Sequence, residues 1–214
     1  AETEIAVSSI LERGLATIGS PASSVQIAQL SGLVSLLSLW APRINLTGHR
    51  DPETMATRLV LDAAALSHAL PELRAASSLA DLGSGAGFPG IPIAILNPHL
   101  AVTLVDSRLK RNHFQRAVRR ELELARITPV LGRSDQVEIR PAEIVVAQAM
   151  AQPAAALKLM RPWASRGGLL VLPASESAER PELSGADIQV EERSYRVPES
   201  DVRRKLWIIR ADSV

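Results

Sequence analysis

Apolar positions follow a helical spacing at the start of the chain. Over the first forty residues they recur three and four positions apart, which predicts helices with one buried face. Ser20-Pro21 divides this stretch into two helices. Residues 41–52 are rich in polar residues, Gly and Pro and predict a loop, and another helix is expected to reach about Leu70. The pattern predicts an N-terminal helical extension over residues 1–70.

From residue 71 the pattern changes to short apolar runs, most of them separated by helical stretches such as 107–124. Strands that alternate with helices predict parallel βαβ units in an open α/β sheet. The last two runs have only a loop containing Pro198 between them, which predicts an antiparallel pair. A mostly parallel seven-stranded Rossmann-like sheet is therefore expected over residues 71–214. The seven runs are 78–82, 102–105, 127–131, 144–147, 169–172, 188–197 and 205–210.

Composition narrows the possible classes of protein. The 214 residues carry a net charge of +1 and include no cysteine, which excludes disulfides and thiolate metal sites. The 4 histidines lack metal-ligand spacing, so no metal is expected. No apolar run approaches the ~18 residues of a membrane span. Residues 1–15 lack the basic and apolar regions of a signal peptide. We expect a cytoplasmic protein without a membrane association.

The candidate chemistry lies in the glycine-rich segment 79–90, which follows the first strand. Gly85, Gly87 and Gly90 satisfy GxGxxG, so a dinucleotide site and a purely structural turn are alternatives. The carboxylate of Asp81 would repel a pyrophosphate by several kcal/mol if it lay within ~4 Å at an effective dielectric of ~20. It would instead attract the ammonium and sulfonium of S-adenosylmethionine, which is therefore the predicted cofactor. The predicted cofactor residues here are Asp81, Gly83, Gly85, Gly87 and Phe88.

Polar residues at the ends of the next two strands extend this site. Asp106 can accept hydrogen bonds from both hydroxyls of a ribose, a role that would also suit NAD, or it can cap the following helix. After the third strand, Ser134 and Asp135 are expected beside the adenine, with an ordinary helix cap as the alternative. Asp106, Ser134 and Asp135 complete the predicted cofactor site.

Several motifs together resemble one bacterial enzyme family. Asn45-Leu46-Thr47, Arg58 with Asp62, the loop 81–92 and Asp106-Ser107 resemble the ribosomal small-subunit methyltransferase G family, also called glucose-inhibited division protein B. The resemblance implies a Rossmann-like class I methyltransferase fold with an N-terminal helical extension. It also implies methylation of guanine N7 in 16S ribosomal RNA with S-adenosylmethionine as donor. Ribosomal RNA or the small ribosomal subunit is then the expected partner.

Candidate RNA contacts come from basic clusters and from this resemblance. One cluster lies in the predicted helix 107–124, a second is Arg203-Arg204-Lys205 and a third is Arg43, His49 and Arg50. Contact with phosphates and simple solvation are both possible interpretations of these clusters. The expected substrate contacts are Asn45, Arg50, Arg133, Gln148 and Arg204.

Four positions depart from the family pattern. Gln148 stands where the family has arginine and Pro173 where it has lysine, while Leu59 and Ala63 replace a histidine and a serine. Guanine N7 has a free lone pair, so no general base and no catalytic residue are predicted. The departures predict ordinary cofactor affinity with slow methylation. A methyltransferase for another substrate, and a cofactor-binding homologue with weakened catalysis, are the alternatives.

Overall fold

Seven strands form one sheet in the computed structural model, which describes residues 2–148, 152–183 and 188–213. The strands are β1 Ser78–Leu82, β2 Ala101–Asp106, β3 Ile127–Leu131, β4 Ala142–Ala147, β5 Ala164–Ser175, β6 Val190–Arg196 and β7 Arg203–Arg210. Across the sheet they lie in the order β3-β2-β1-β4-β5-β7-β6. The first five are parallel, and β7 lies antiparallel between β5 and β6. The predicted mostly parallel sheet with a closing antiparallel pair is confirmed.

Helices pack on both faces of this sheet. The predicted break at Ser20-Pro21 separates the first two, and Ser23 caps the second by accepting a 3.2 Å hydrogen bond from the Gln26 N–H. A π-helical turn, Ala56–Leu61, joins the third and fourth. Within the described residues, none of these helices is long and apolar enough to cross a membrane. They are α1 Glu2–Thr17, α2 Ser24–Trp40, α3 Pro52–Met55, α4 Asp62–His68, α5 Gly90–Leu96, α6 Leu109–Glu121 and α7 Pro153–Met160.

The N-terminal helices pack on the same sheet face as α5 and α6. Leu11 of α1, Val102 of β2 and Phe114 of α6 belong to one buried apolar cluster. A polar contact adds to this packing, because the Gln26 side-chain amide donates to the Ile95 carbonyl at 3.0 Å. The core is thus continuous across residue 70, and the domain boundary predicted there stays a prediction.

Two predicted segments have different bounds in the structure. The helix expected over 107–124 is α6, Leu109–Glu121, and Glu123 just beyond it adopts a positive φ of 54° that a helix cannot continue through. β5 is longer than the expected run 169–172 at both ends: Ala164 pairs with Ala142 of β4, and the residues after Val171 pair with β7 alone. Pro173, expected after this strand, therefore lies inside it opposite Leu206, beyond the last pairing with β4 at Val171. Proline has no backbone N–H to donate. A strand tolerates it on a side where no neighbouring strand is present, because no inter-strand hydrogen bond is lost there.

Candidate active site

The glycine-rich segment between β1 and α5 forms a tight turn at the carboxyl edge of the sheet. Gly83, Gly85 and Gly87 have positive φ angles of 67°, 58° and 92°, which residues with side chains rarely adopt. The Ser84 N–H donates to the Val105 carbonyl at 3.0 Å and fastens the turn to β2. Open α/β sheets bind their ligands at this edge. The backbone conformation therefore explains the glycines and puts the predicted site where a ligand can reach it.

Asp81, in β1, is a buried carboxylate on the inner side of the turn, with 1% of its surface exposed. Its Oδ2 accepts a 2.8 Å hydrogen bond from the Gly90 N–H. No hydrogen bond reaches its Oδ1 within the part of the chain that the structure describes. Burial raises the pKa of Asp81 well above its usual range, the Gly90 hydrogen bond opposes this rise, and the charge of Asp106 adds to it. An acceptor without a partner suits a cationic or hydrogen-bond-donating ligand group.

Asp106 fastens the turn to the end of β2 and to the start of α6. Its Oδ2 accepts from the Gly85 N–H at 2.8 Å, and its Oδ1 accepts from the Arg108 N–H at 2.9 Å. The Arg111 guanidinium approaches Oδ2 to 3.6 Å. The helix cap, one of the two expected roles, is not formed: α6 begins at Leu109 with Arg108 as its N-cap residue, and Asp106 instead binds the N–H of that residue in the preceding turn. Each carboxylate oxygen has a second lone pair, so a ribose contact is compatible with this geometry and stays a prediction.

Gln115 braces the turn from α6, and sequence reasoning missed it. Its amide nitrogen donates to the Ser84 hydroxyl and to the Gly85 carbonyl, both at 2.8 Å, while its side-chain oxygen has no partner among the described residues. The side chain is fully buried. The available signal was a polar residue on the helix face that also carries Phe114 and Val118.

The loop after β3 lies beside Asp106, since the Gly132 N–H donates to the Asp106 carbonyl at 2.9 Å. Ser134 is buried, and its carbonyl accepts from the Trp163 indole at 3.0 Å. Arg133 and Asp135 are exposed and form two hydrogen bonds of 3.1 Å with each other. The Arg133 guanidinium lowers the pKa of Asp135 below its usual range. Contact of Ser134 or Asp135 with an adenine stays a prediction.

A narrow pocket opens next to the turn and brings distant segments together. Its volume is about 40 Å³, room for about two or three water molecules. A purine base would therefore lie across its mouth or displace a lining side chain. The pocket is lined by Arg58, Leu59, Asp62, Ala63, Leu66, Phe88, Pro89, Gln148 and Tyr195.

Two lining residues of the pocket, Asp62 and Tyr195, form a hydrogen-bonded trio with Arg204 behind them. The Tyr195 hydroxyl donates to Asp62 Oδ1 at 2.8 Å, and Arg204 donates to Asp62 Oδ2 from its Nε at 3.0 Å. Burial and the negative charge of Asp62 raise the pKa of Tyr195 above its usual range, and Arg204 partly opposes this. Arg204, predicted from the sequence, is thus held in one orientation. Tyr195 was missed because no local motif marks it.

Known proteins identify the family. The family model described as rRNA small subunit methyltransferase G matches residues 26–206. The chain belongs to this family. The curated Ribosomal RNA small subunit methyltransferase G of Chromohalobacter salexigens is 37% identical over 202 residues, covering 94% of this chain and 95% of the relative. The protein of that name from Salmonella schwarzengrund is 35% identical over 214 residues, covering 95% and 98%. Membership in the family confirms the expected enzyme class, a ribosomal RNA methyltransferase that uses S-adenosylmethionine.

Solved structures confirm the fold at low identity. The mitomycin 7-O-methyltransferase MmcR superposes with a TM-score of 0.57 at 18% identity, covering 83% of this chain and 60% of that one. A SAM-dependent methyltransferase from Aquifex aeolicus superposes with a TM-score of 0.53 at 13% identity, covering 73% and 92%. The predicted Rossmann-like methyltransferase architecture is therefore correct for this member of the methyltransferase G family.

The departures from the family pattern are concentrated at the pocket. Leu59, Ala63 and Gln148 all line it. Pro173 lies opposite Leu206, and alternation along β7 puts Leu206 on the sheet face that carries Arg204.

The second expected basic cluster does not exist as one surface. Side chains alternate along β7, so Arg203 and Lys205 lie on one face of the sheet and Arg204 on the other. Each also lies near a carboxylate, which offsets its charge. The partners of Arg203, Arg204 and Lys205 are Glu176 at 3.9 Å, Asp62 at 3.0 Å and Glu192 at 3.8 Å, respectively.

The remaining predicted RNA contacts lie in the loop between α2 and α3. Asn45 and Arg50 are exposed, and the Arg50 guanidinium donates to the Ala41 carbonyl at 3.0 Å. Across the described ranges, no hydrogen bond or ion pair connects either residue to Gln148 or Arg204. Nor do those ranges contain a cluster of His, Asp or Glu that could hold a metal ion.

Proposed function

We propose that this protein transfers the methyl group of S-adenosylmethionine to N7 of a guanine in 16S ribosomal RNA. One observation carries the proposal: the loop that contains the glycine turn also supplies Phe88 and Pro89 to the narrow pocket. A donor held at the turn and a base at the pocket mouth would then share one edge of the sheet. The family description supports ribosomal RNA as the substrate.

The residues at the turn fit this cofactor. The unpartnered Asp81 Oδ1 can accept from an ammonium group, and Asp106 keeps free lone pairs for ribose hydroxyls. Glycine at position 85 leaves the surface above the turn open, with only the Arg111 guanidinium near where a Cβ would lie, at 3.9 Å. When bound, the cofactor supplies an electrophilic methyl group on its sulfonium. Ser134 and Asp135 remain proposed neighbours of the adenine.

The task of the protein in this reaction is orientation. Guanine N7 attacks through its own lone pair and loses no proton, so no side chain has to act as a base. Phe88 and Gln148 are the groups that we propose to set the plane and the edge of the base. Correct orientation of two reactants can contribute about 7–11 kcal/mol to the lowering of a barrier. The methylated base is cationic, so acceptors at the pocket, such as the Gln148 carbonyl, favour the product side.

Arg204 is the proposed substrate contact with the best-defined geometry, because Asp62 holds its guanidinium beside the pocket. Arg133 is shared with Asp135, so an RNA phosphate would compete with that carboxylate. Asn45 and Arg50 are proposed to contact the RNA from the loop between α2 and α3. Since ribosomes are assembled in the bacterial cytoplasm, the proposal places the protein there, with RNA inside the small ribosomal subunit as its target.

Methyl transfer to RNA from a strain that lacks the gene tests the proposal. Purified protein and radiolabelled S-adenosylmethionine are incubated with either naked 16S RNA or small subunits from that strain. Borohydride reduction followed by aniline cleaves RNA selectively at 7-methylguanine, so primer extension then maps the base. We expect one new aniline-dependent stop. Labelled RNA without such a stop would mean that another atom is methylated, and unlabelled RNA would refute ribosomal RNA as the substrate.

The departures at the pocket support a second candidate, a cofactor-binding homologue with weakened catalysis. Gln148 supplies no charge where the family has arginine, and Leu59 supplies no polar group to the same pocket. This candidate predicts normal cofactor binding together with a single-turnover rate on small subunits far below that of a curated relative. Comparable rates for the two proteins would exclude it.

A further inference from the structure

The exposed side of α6 carries a run of positive charge that the cofactor site does not use. Phe114 and Val118 are buried against the sheet and fix the orientation of the helix. The basic side chains on the opposite side all face solvent. We call this surface the α6 basic face; it consists of Arg116, Arg119 and Arg120 on this side, together with the exposed Arg108 and Lys110 at the helix start, of which Lys110 lies in line with Phe114.

Little within the protein offsets this charge. Arg120 pairs with Glu121 at 2.9 Å. Arg108, Lys110, Arg116 and Arg119 form no ion pair within the described parts of the chain, although Arg116 donates to the Asn112 side chain at 3.0 Å. On the β6–β7 surface, by comparison, arginines are paired with carboxylates. The α6 basic face is thus a local excess of charge on a chain whose net charge is only +1.

The arrangement is unfavourable for the isolated helix. Arg116 has a like charge three residues later, at Arg119, and another four residues later, at Arg120, and such pairs repel on a helix surface. The first turn contains no acidic residue and begins with basic ones, opposite to what the helix dipole favours. A polyanion along this side would relieve both effects.

The shape and position of the surface fit the backbone of a nucleic acid. Arg116, Arg119 and Arg120 line a shallow cavity of about 460 Å³ with Glu123 and Ala125. The helix starts three residues after Asp106, at the edge where the methyl donor is proposed to bind, and 13 residues extend it about 20 Å away from there. No Phe, Tyr or Trp side chain is exposed on it, so contact with phosphates is favoured over stacking of bases.

We propose that the α6 basic face binds the phosphate backbone of the substrate RNA at nucleotides away from the methylated base. This rests on the proposed function, and it adds a docking surface separate from the pocket. Contacts with phosphates hold the RNA in register without reading its sequence. The surface therefore contributes affinity for the RNA and leaves both the choice of atom and the methyl transfer step to the carboxyl edge.

The test uses the variant R116Q/R119Q/R120Q, which removes three charges from the exposed side of α6, the side away from Phe114 and Val118. Its matched control is R140Q/K158Q/R166Q, which removes three exposed charges from the loop before β4, from α7 and from the start of β5. Binding to 16S RNA from the deletion strain is measured from 50 to 300 mM salt, alongside calorimetry with S-adenosylmethionine and thermal unfolding. Methylation rates are measured over a range of RNA concentrations.

Loss of three contacts with single-stranded phosphates should lower the salt slope by about 2 and weaken RNA binding roughly a hundredfold at 0.1 M salt. The KM for RNA should rise while kcat, cofactor affinity and melting temperature stay the same. The control variant should keep most of its affinity. Equal losses in both triple variants, or none in either, would overturn the proposal. A wild type that binds the RNA through α6 but does not methylate guanine would support the docking surface and reject the proposed reaction.

Discussion

The buried Asp81 carboxylate costs the fold stability but is proposed to bind the cofactor. We therefore expect Asp81→Asn to raise stability and to weaken cofactor binding. Asp81→Asn keeps an oxygen that can accept from the Gly90 N–H at 2.8 Å and removes the charge at the oxygen that has no partner. A buried polar group without a partner costs about 1–3 kcal/mol. The new side-chain amide still needs a partner, so we expect the free energy of unfolding to rise by about 1 kcal/mol, near the lower end of this range. For a domain of this size, that raises Tm by about 2–4 °C.

The pH dependence of this gain follows from the raised pKa. Because the folded-state pKa of Asp81 lies above that of the unfolded chain, the protonated carboxyl stabilises the fold at low pH. This contribution is fully present below the ordinary aspartate value of about 3.9 and is lost as pH rises through the folded-state pKa. The Tm of the variant should therefore match that of the wild type near pH 4 and exceed it increasingly toward pH 8.

Cofactor binding should change in the opposite direction. Loss of a charge-assisted hydrogen bond costs about 1.5–3 kcal/mol, so calorimetry should show S-adenosylmethionine binding roughly tenfold to a hundredfold weaker. The control is Asp201→Asn, a substitution of a fully exposed side chain, which should change neither Tm nor the affinity for S-adenosylmethionine. A less stable Asp81→Asn protein at pH 8, or one with unchanged cofactor affinity, would refute the assignment of Asp81 to the donor site.

Three further substitutions test neighbouring contacts. Asp106→Ala removes the acceptor of the Gly85 N–H and the proposed ribose contact, so calorimetry should show weaker S-adenosylmethionine binding; unchanged affinity, or tighter binding of NAD, would contradict the donor site. Gln115→Leu leaves the Gly85 carbonyl without its donor, and we expect about tenfold weaker cofactor binding with an unchanged KM for RNA; a change confined to Tm would make Gln115 structural only. Gln148→Arg combined with Pro173→Lys restores the two cations, and single-turnover methylation of small subunits should accelerate roughly tenfold to a hundredfold; a wild type that is already as fast would show the departures to be harmless.

The features that the sequence could predict are those encoded by neighbouring residues. Strand β1 and the glycine turn follow one another directly, and the positive φ angles at Gly83, Gly85 and Gly87 leave few other residue types possible. Asp106 ends a parallel neighbour of β1, so its place beside the turn follows from the topology. The helix break at Ser20-Pro21 is equally local.

The features that the sequence could not predict depend on tertiary pairing. The extension of β5 beyond Val171 depends on its partner β7, whose paired residues lie about thirty to forty positions later in the chain. The same pairing puts Pro173 inside a strand and separates Arg204 from its two basic neighbours. Gln115 was missed because one sequence does not distinguish a buried glutamine on a helix from an exposed one. Its role follows only from its hydrogen bonds to Ser84 and Gly85.

The donor and acceptor sides of the site differ in what holds them together. Binding at the turn depends on backbone conformation and on carboxylates bonded to backbone N–H groups, so a substitution there disturbs the fold as well as the cofactor. The pocket instead collects side chains from the π-helical turn, α4, the loop before α5, the residue after β4 and strand β6. Gln148, in the segment after β4, can change without loss of a strand or a turn, whereas Asp62 and Tyr195 of the same pocket connect α4 to β6. If the turn binds the methyl donor and the pocket the acceptor base, as proposed, substitutions at Leu59, Ala63 and Gln148 should change the methylation rate on small ribosomal subunits and leave cofactor affinity unchanged.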